Sequence, residues 1–183
     1  MSCAIIFYRS DEHLVSAAPL VHEVNMPRPV VSEDLILIEP EVDPLTAEGV
    51  IEALCDRLIE KGYATPSYCQ AVLDREQKFP TGLPTLPYAT AIPHADSDEV
   101  TETGIAVAIL NPPVSFRAMD DPDKALDVRT VLLLAVADRT KVMSTLQGVS
   151  TLMQDQDVIE ALASTKSSVE VVDILRPLIG EQI

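Results

Sequence analysis

The chain has 183 residues, 47% of them hydrophobic, 4% aromatic and none Trp. This suits one globular domain with an aliphatic core and excludes a fibrous or disordered protein. Its 29 acidic residues against 13 basic ones leave a formal net charge of -16, which argues against nucleic-acid or membrane-surface binding and favours encounters with a basic protein partner.

Cys3, Cys55 and Cys69 form an odd set without CxxC spacing, so disulfides are not expected and a reducing cytoplasm fits best. The apolar run Ala4-Ile5-Ile6-Phe7-Tyr8 is too short for a signal segment or a membrane span, and no direct membrane insertion is expected.

Residues 1–32 read as an irregular arm interrupted by Pro19, Pro27 and Pro29, with residues 33–183 as the compact domain. Met26, just before that domain, is a candidate translation start. Leu35 to Val42 reads as an entering strand. Thr46 caps a helix that carries Val50, Ile51, Leu54 and Leu58 on one face, and Gly62 stops it. Thr65-Pro66 reads as the next helix start, with the helix running to about Lys78.

Pro80 to Pro93 holds four prolines and one glycine in fourteen residues, a pattern of loop and short strand. Ile105–Leu110 and Val128–Ala137 are the clearest strands. The second is apolar on both faces at Val131-Leu132-Leu133-Leu134, which places it centrally in its sheet. Val142, Leu146, Val149 and Met153 mark a helix. Asp155 caps another through Leu162, and Ser167 with Glu170 forms a capping box for a last helix that ends around Pro177. Helices precede, interrupt and follow the strands, so the fold class is α/β, a single domain with helices covering a small mixed sheet.

Several chemistries are excluded. The chain has no GxxxxGK[ST], GxGxxG or GxSxG motif, and no His or Cys pair at metal-ligand spacing, so no metal or cofactor is expected. Three histidines remain. His13 and His22 lie in the irregular arm. His94 follows the apolar Ala89-Thr90-Ala91-Ile92-Pro93 and precedes the acidic Asp96-Ser97-Asp98-Glu99, where a strand leaves the core. A surface imidazole on a fixed backbone is a good neutral nucleophile near pH 7. The same pattern also describes an ordinary surface histidine in a turn.

Arg75-Glu76, Phe79-Pro80-Thr81-Gly82-Leu83 and Thr90-Ala91-Ile92-Pro93-His94 together resemble the signature of mannitol/fructose-type enzyme IIA domains of the bacterial sugar phosphotransferase system (PTS). The order of elements matches from about residue 35 to residue 179. The resemblance implies a mixed sheet covered by helices on both faces. It also implies a phosphotransferase in which His94 takes a phosphoryl group from the carrier HPr and passes it to an enzyme IIB, itself serving a membrane IIC. Arg75 matches the family arginine beside the active histidine, and its guanidinium would pair with phosphate oxygens for roughly 1.5 to 3 kcal/mol. A solvated arginine paired with Asp74 or Glu76 is the plainer reading.

Thr81 would offer a hydroxyl or amide to the same phosphate or else form the turn. Ile92 and Pro93 would contribute to an apolar docking surface. Many family members carry a second histidine after the central strand, where this chain reads Asp138-Arg139-Thr140-Lys141-Val142. Lys141 or Arg139 is the candidate for the missing positive charge, and a solvated helix start is the plainer reading of both. This departure, with the insert before Ile-Pro-His, points to the galactitol-like branch. The acidic run from Asp96 to Glu99 is expected to turn away from His94. Two alternatives stay open: a phosphorylation-responsive regulatory module, and a degenerate binding protein without transfer activity.

Overall fold

The computed structural model describes residues 28–96 and 98–179. The expectations for residues 1–27, including His13, His22, Cys3 and a start at Met26, lie outside the described residues. Packing begins ahead of the division drawn at residue 33. Arg28 pairs with Glu102 at 2.6 Å, the Ile105 amide donates to the Val30 carbonyl at 2.8 Å, and Val31 is buried. Residues 28–32 therefore belong to the folded unit.

The entering strand β1 spans only Ile36–Ile38, after a 3-10 turn at Glu33–Leu35. The expected run to Val42 fails because Glu39 turns to φ 46 ahead of Pro40, and its amide makes the closing bond to Ile109 O at 2.8 Å. Helix α1 (Ala47–Glu60) starts where expected, with Thr46 Oγ1 accepting from the Gly49 amide at 3.1 Å. Gly62 follows it at φ 75, a left-handed position that glycine fills without a Cβ penalty.

Helix α2 (Tyr68–Lys78) begins later than Thr65-Pro66 suggested. A tertiary contact holds Thr65 outside the helix: its amide donates to Glu99 O at 2.8 Å, and its hydroxyl donates to the Glu99 carboxylate.

Strands β2 (Gly82–Leu83) and β3 (Ala89–Ala91) are the short strands of the proline-rich segment. β4 (Gly104–Arg117) is much longer than Ile105–Leu110, and β5 (Ala125–Ala135) is its antiparallel partner. The extension continues past Asn111-Pro112-Pro113 because the β4–β5 register shifts there, between Ile109 and Val114. β1 pairs with β4 only at Val107–Ile109, so the prolines fall on an open edge where a missing N–H removes no ladder bond to β1.

A 3-10 turn (Arg139–Lys141) leads to α3 (Val142–Leu152), α4 (Gln156–Ser164) and α5 (Ser168–Ile179). Asp155 caps α4 through the amides of Asp157 and Val158. The last helix runs two residues past Pro177. Only half of its capping box forms: Ser167 Oγ accepts from the Glu170 amide at 3.4 Å, while the Glu170 carboxylate takes the Thr165 hydroxyl instead.

The sheet order is β1-β4-β5-β3-β2, with β1/β4 and β3/β5 parallel and the other neighbours antiparallel, so it is mixed and β5 is central as expected. Alternation along β4 and β5 separates two cores. Ala106, Ala108, Val131 and Leu133 pack under α1 and α2 with Ile51, Leu54 and Val72. Ile105, Val107, Leu132 and Leu134 pack with Val149, Ile159, Leu162 and Val171 of α3, α4 and α5. Each fully buried aliphatic side chain of this kind contributes about 1.5–3 kcal/mol of transfer free energy. Helices thus cover both faces. Among the described residues no helix is long and apolar enough to cross a membrane.

Candidate active site

The parallel strands β3 and β5 end at the same edge, and the chain leaving β3 delivers His94 there. The Leu134 amide donates to Pro93 O at 3.0 Å, and His94 bridges to Leu134 in parallel register. Carboxyl ends of parallel strands are where α/β sheets place their ligands. The imidazole is half-buried.

Its tautomer follows from its two partners. Nδ1 lies 2.8 Å from the Ile92 carbonyl, which can only accept, so Nδ1 carries the proton. Nε2 lies 3.3 Å from Arg75 Nη2, which can only donate, so Nε2 presents a lone pair. Burial lowers the His94 pKa from its ordinary value and the Arg75 charge adds to this; the Ile92 hydrogen bond and Asp96 oppose it. The net shift is downward, which favours the neutral imidazole over the imidazolium.

Arg75 sits in the last turn of α2. Its Nη1 donates to the Phe79 carbonyl, and its guanidinium lies 5.4 Å from the Phe79 ring centroid. The arginine therefore caps its own helix while reaching His94. Glu76, next along, accepts from the Thr81 amide at 3.0 Å and the Thr81 hydroxyl at 2.7 Å. Burial raises the Glu76 pKa, with the two Thr81 bonds opposing that shift.

These positions revise several expectations. Thr81 is fully buried with both donors on Glu76, so it secures the turn instead of presenting donors to a phosphate. Its carbonyl accepts from the Ile92 amide at 3.3 Å, tying that turn to the His94 segment. Ile92 and Pro93 are buried, because the β3 extension packs into the core before it emerges at His94, and they cannot form a docking surface. The exposed apolar side chain beside Arg75 is instead Phe79.

Lys141 is exposed beside Asp138, whose pKa is lowered first by the Thr140 hydrogen bonds and then by Lys141. Arg139 pairs with Asp98 at 2.9 Å. Among the described residues neither cation is bonded to His94. The acidic run turns away in part: Asp98 goes to Arg139 and Glu99 accepts from the Thr65 and Ser67 hydroxyls, while Asp96 acts on His94.

Sequence reasoning named Glu76 only as an alternative partner of Arg75 and assigned no role to Phe79 or Tyr68. The available signal was helical spacing, since Tyr68 and Arg75 stand seven residues apart and share one face of α2. A groove of about 700 Å³ lies elsewhere, between α1, α2 and the far half of β4, lined by Glu48, Glu52, Asp74 and Arg117 among others. His94 does not line it.

The comparisons with known proteins identify the family and the fold. The profile of the family described as "Phosphoenolpyruvate-dependent sugar phosphotransferase system, EIIA 2" matches residues 30–177. The fructose-specific EIIA component of Haloferax volcanii is 32% identical over 148 residues, 79% of this chain and 92% of that protein. The galactitol-specific EIIA component of Escherichia coli K12 is 27% identical over 113 residues, 62% of this chain and 75% of that protein. Among solved structures, the complex of mannitol enzyme IIA with phosphorylated enzyme IIB from Escherichia coli matches with a TM-score of 0.65 and 27% identity, covering 80% of this chain and 97% of that one. Motif, sheet order and profile converge, and the chain belongs to the EIIA type 2 family of the PTS, the phosphoryl carriers of sugar and polyol systems.

Proposed function

We propose that His94 is the phosphoryl-carrying residue of this chain, taking the group from phospho-HPr and passing it to an enzyme IIB of a galactitol-like or related polyol system, in the cytoplasm. One observation carries the reading: Nδ1–H is held by the Ile92 carbonyl, which leaves the Nε2 lone pair directed at a guanidinium.

In the first step Nε2 attacks phosphorus, the P–N bond to the donor imidazole breaks, and the donor nitrogen keeps the electron pair. The second step reverses these roles toward the thiolate of IIB. Arg75 exchanges its bond to Nε2 for phosphate oxygens and compensates their charge. Positioning and charge compensation supply the catalysis, because the donor is already a high-energy P–N species. Phe79, exposed and beside the Arg75 guanidinium, offers an apolar contact to the two protein partners. The galactitol-like assignment rests on the absence of histidine from Asp138 to Val142.

The test is labelled phosphate transfer from phosphoenolpyruvate through enzyme I and HPr, comparing wild type with His94→Ala. The expected result is an acid-labile, alkali-stable label on wild type alone. No label on folded wild type with active HPr would defeat the proposal. Presenting the labelled chain with IIB proteins of galactitol, mannitol and fructose systems then reads the branch.

A further inference from the structure

We propose that Tyr68 is a positioning residue for His94, its buried hydroxyl fastening helix α2 to Leu134, the residue of the central strand that pairs with His94. Its relevance to transfer rests on the reading that His94 carries the phosphoryl group, but its geometry does not.

Tyr68 opens α2 and is fully buried. Its hydroxyl donates to the Leu134 carbonyl at 2.7 Å. The Leu134 amide in turn donates to Pro93 O at 3.0 Å. Both backbone groups of Leu134 are therefore engaged, the amide by Pro93 and the carbonyl by Tyr68. His94 follows Pro93 and bridges to Leu134, so its backbone is held at the strand end to which Tyr68 fastens α2, and the ring keeps Nδ1 on Ile92 O and Nε2 on Arg75.

The hydroxyl gives the Leu134 carbonyl a partner from outside the sheet, so it fastens α2 to the residue that His94 bridges. Burial also raises the phenol's pKa, so it remains a donor over the physiological range. Tyr68 and Arg75 occupy the same face of α2, two turns apart. One helix thus supplies both the group that orients the histidine segment and the group that faces its nucleophilic nitrogen.

The molecule contains a matched control. Tyr63 is also buried, and its hydroxyl donates to Pro29 O at 2.7 Å, away from His94. Tyr68→Phe and Tyr63→Phe each remove one buried phenol–carbonyl bond. The full chain is examined by NMR titration of the His94 ring nitrogens, and separately by single-turnover transfer from phospho-HPr.

For Tyr68→Phe, the expected results are an upward move of the His94 pKa toward its ordinary value, mixed ring tautomers and transfer slowed about tenfold. Tyr63→Phe should leave all three as in wild type, whatever its effect on thermal stability. 4-Aminophenylalanine at position 68, which keeps a donor at the same point, should restore the tautomer and is the informative variant if the phenylalanine protein does not fold.

A wild-type titration and tautomer in Tyr68→Phe would overturn the proposal, as would equal changes in Tyr63→Phe. Failure of wild type to accept phosphate would count against His94 as carrier, while the NMR comparison would still decide whether Tyr68 positions it.

Discussion

At the scale of single residues, the site is organised by groups that can play only one hydrogen-bonding role. A carbonyl on Nδ1 and a guanidinium on Nε2 leave His94 neutral with one available lone pair. Because burial and Arg75 lower its pKa, the folded protein binds this proton less readily than the unfolded chain. The His94 contribution to stability is therefore complete above the ordinary imidazole value and is lost as pH falls from there through the lowered folded value. Arg75→Ala should raise the His94 pKa, shrink that acid-side loss, and slow transfer about tenfold to a hundredfold, the equivalent of one charge-assisted contact. NMR titration and single-turnover kinetics check the two parts, and unchanged values in both would remove Arg75 from the site. Thr81→Val should cost about 1.5–3 kcal/mol in urea unfolding, because it strips a hydroxyl from a part-buried carboxylate while the amide bond remains. A loss below about 0.5 kcal/mol would show that Glu76 does not depend on that hydroxyl.

At the scale of elements, two short pieces decide where the site residues sit. β2 is a two-residue strand, yet it anchors the turn that follows Arg75 and Glu76. Gly82 lies so close to β4 that a Cβ there would stand 2.5 Å from the Arg117 carbonyl oxygen. Backbone cannot yield as a flexible side chain can, so Gly82→Ala should displace this strand and destabilise the protein by about 1–3 kcal/mol. Chemical denaturation measures the loss, and a neutral result would mean that β2 shifts freely. The neighbouring helix starts show how far sequence signals reach. Thr46 and Asp155 cap as read, since both bonds are local. Thr65 was drawn away by Glu99, and Glu170 by Thr165, because stronger partners lay outside the local pattern. The β4 extension was missed for a related reason: two prolines signal a break unless the strand happens to be an edge with a register shift.

At the scale of the whole molecule, the dominant property is the formal net charge of -16. Long-range attraction should accelerate encounter with a basic partner and weaken steeply as salt shortens the screening length from about 30 Å at 0.01 M to about 10 Å at 0.1 M. Stopped-flow measurement of phosphoryl transfer from HPr at rising ionic strength should show a falling association rate with little change in the chemical step. A salt-independent association rate would leave the acidity as a matter of solubility alone. The groove between α1 and α2 is not lined by His94.

Much of this protein was determined by its sequence alone. Apolar periodicity marked the helices and the central strand. The Arg-Glu, Pro-Thr-Gly and Ile-Pro-His run, with its spacing, singled out His94 and Arg75 and carried the family. Those features are local, or follow from which side chains must leave water. Tertiary structure decided the rest. It set the strand order, and it joined the end of β3 to the end of β5 across some forty intervening residues. It turned Thr81 onto Glu76, buried Ile92 and Pro93, and placed the Tyr68 hydroxyl on the Leu134 carbonyl. The physical reason is that a polar group's partner is whichever complementary group the packed chain brings within about 3 Å, and sequence spacing does not encode that distance.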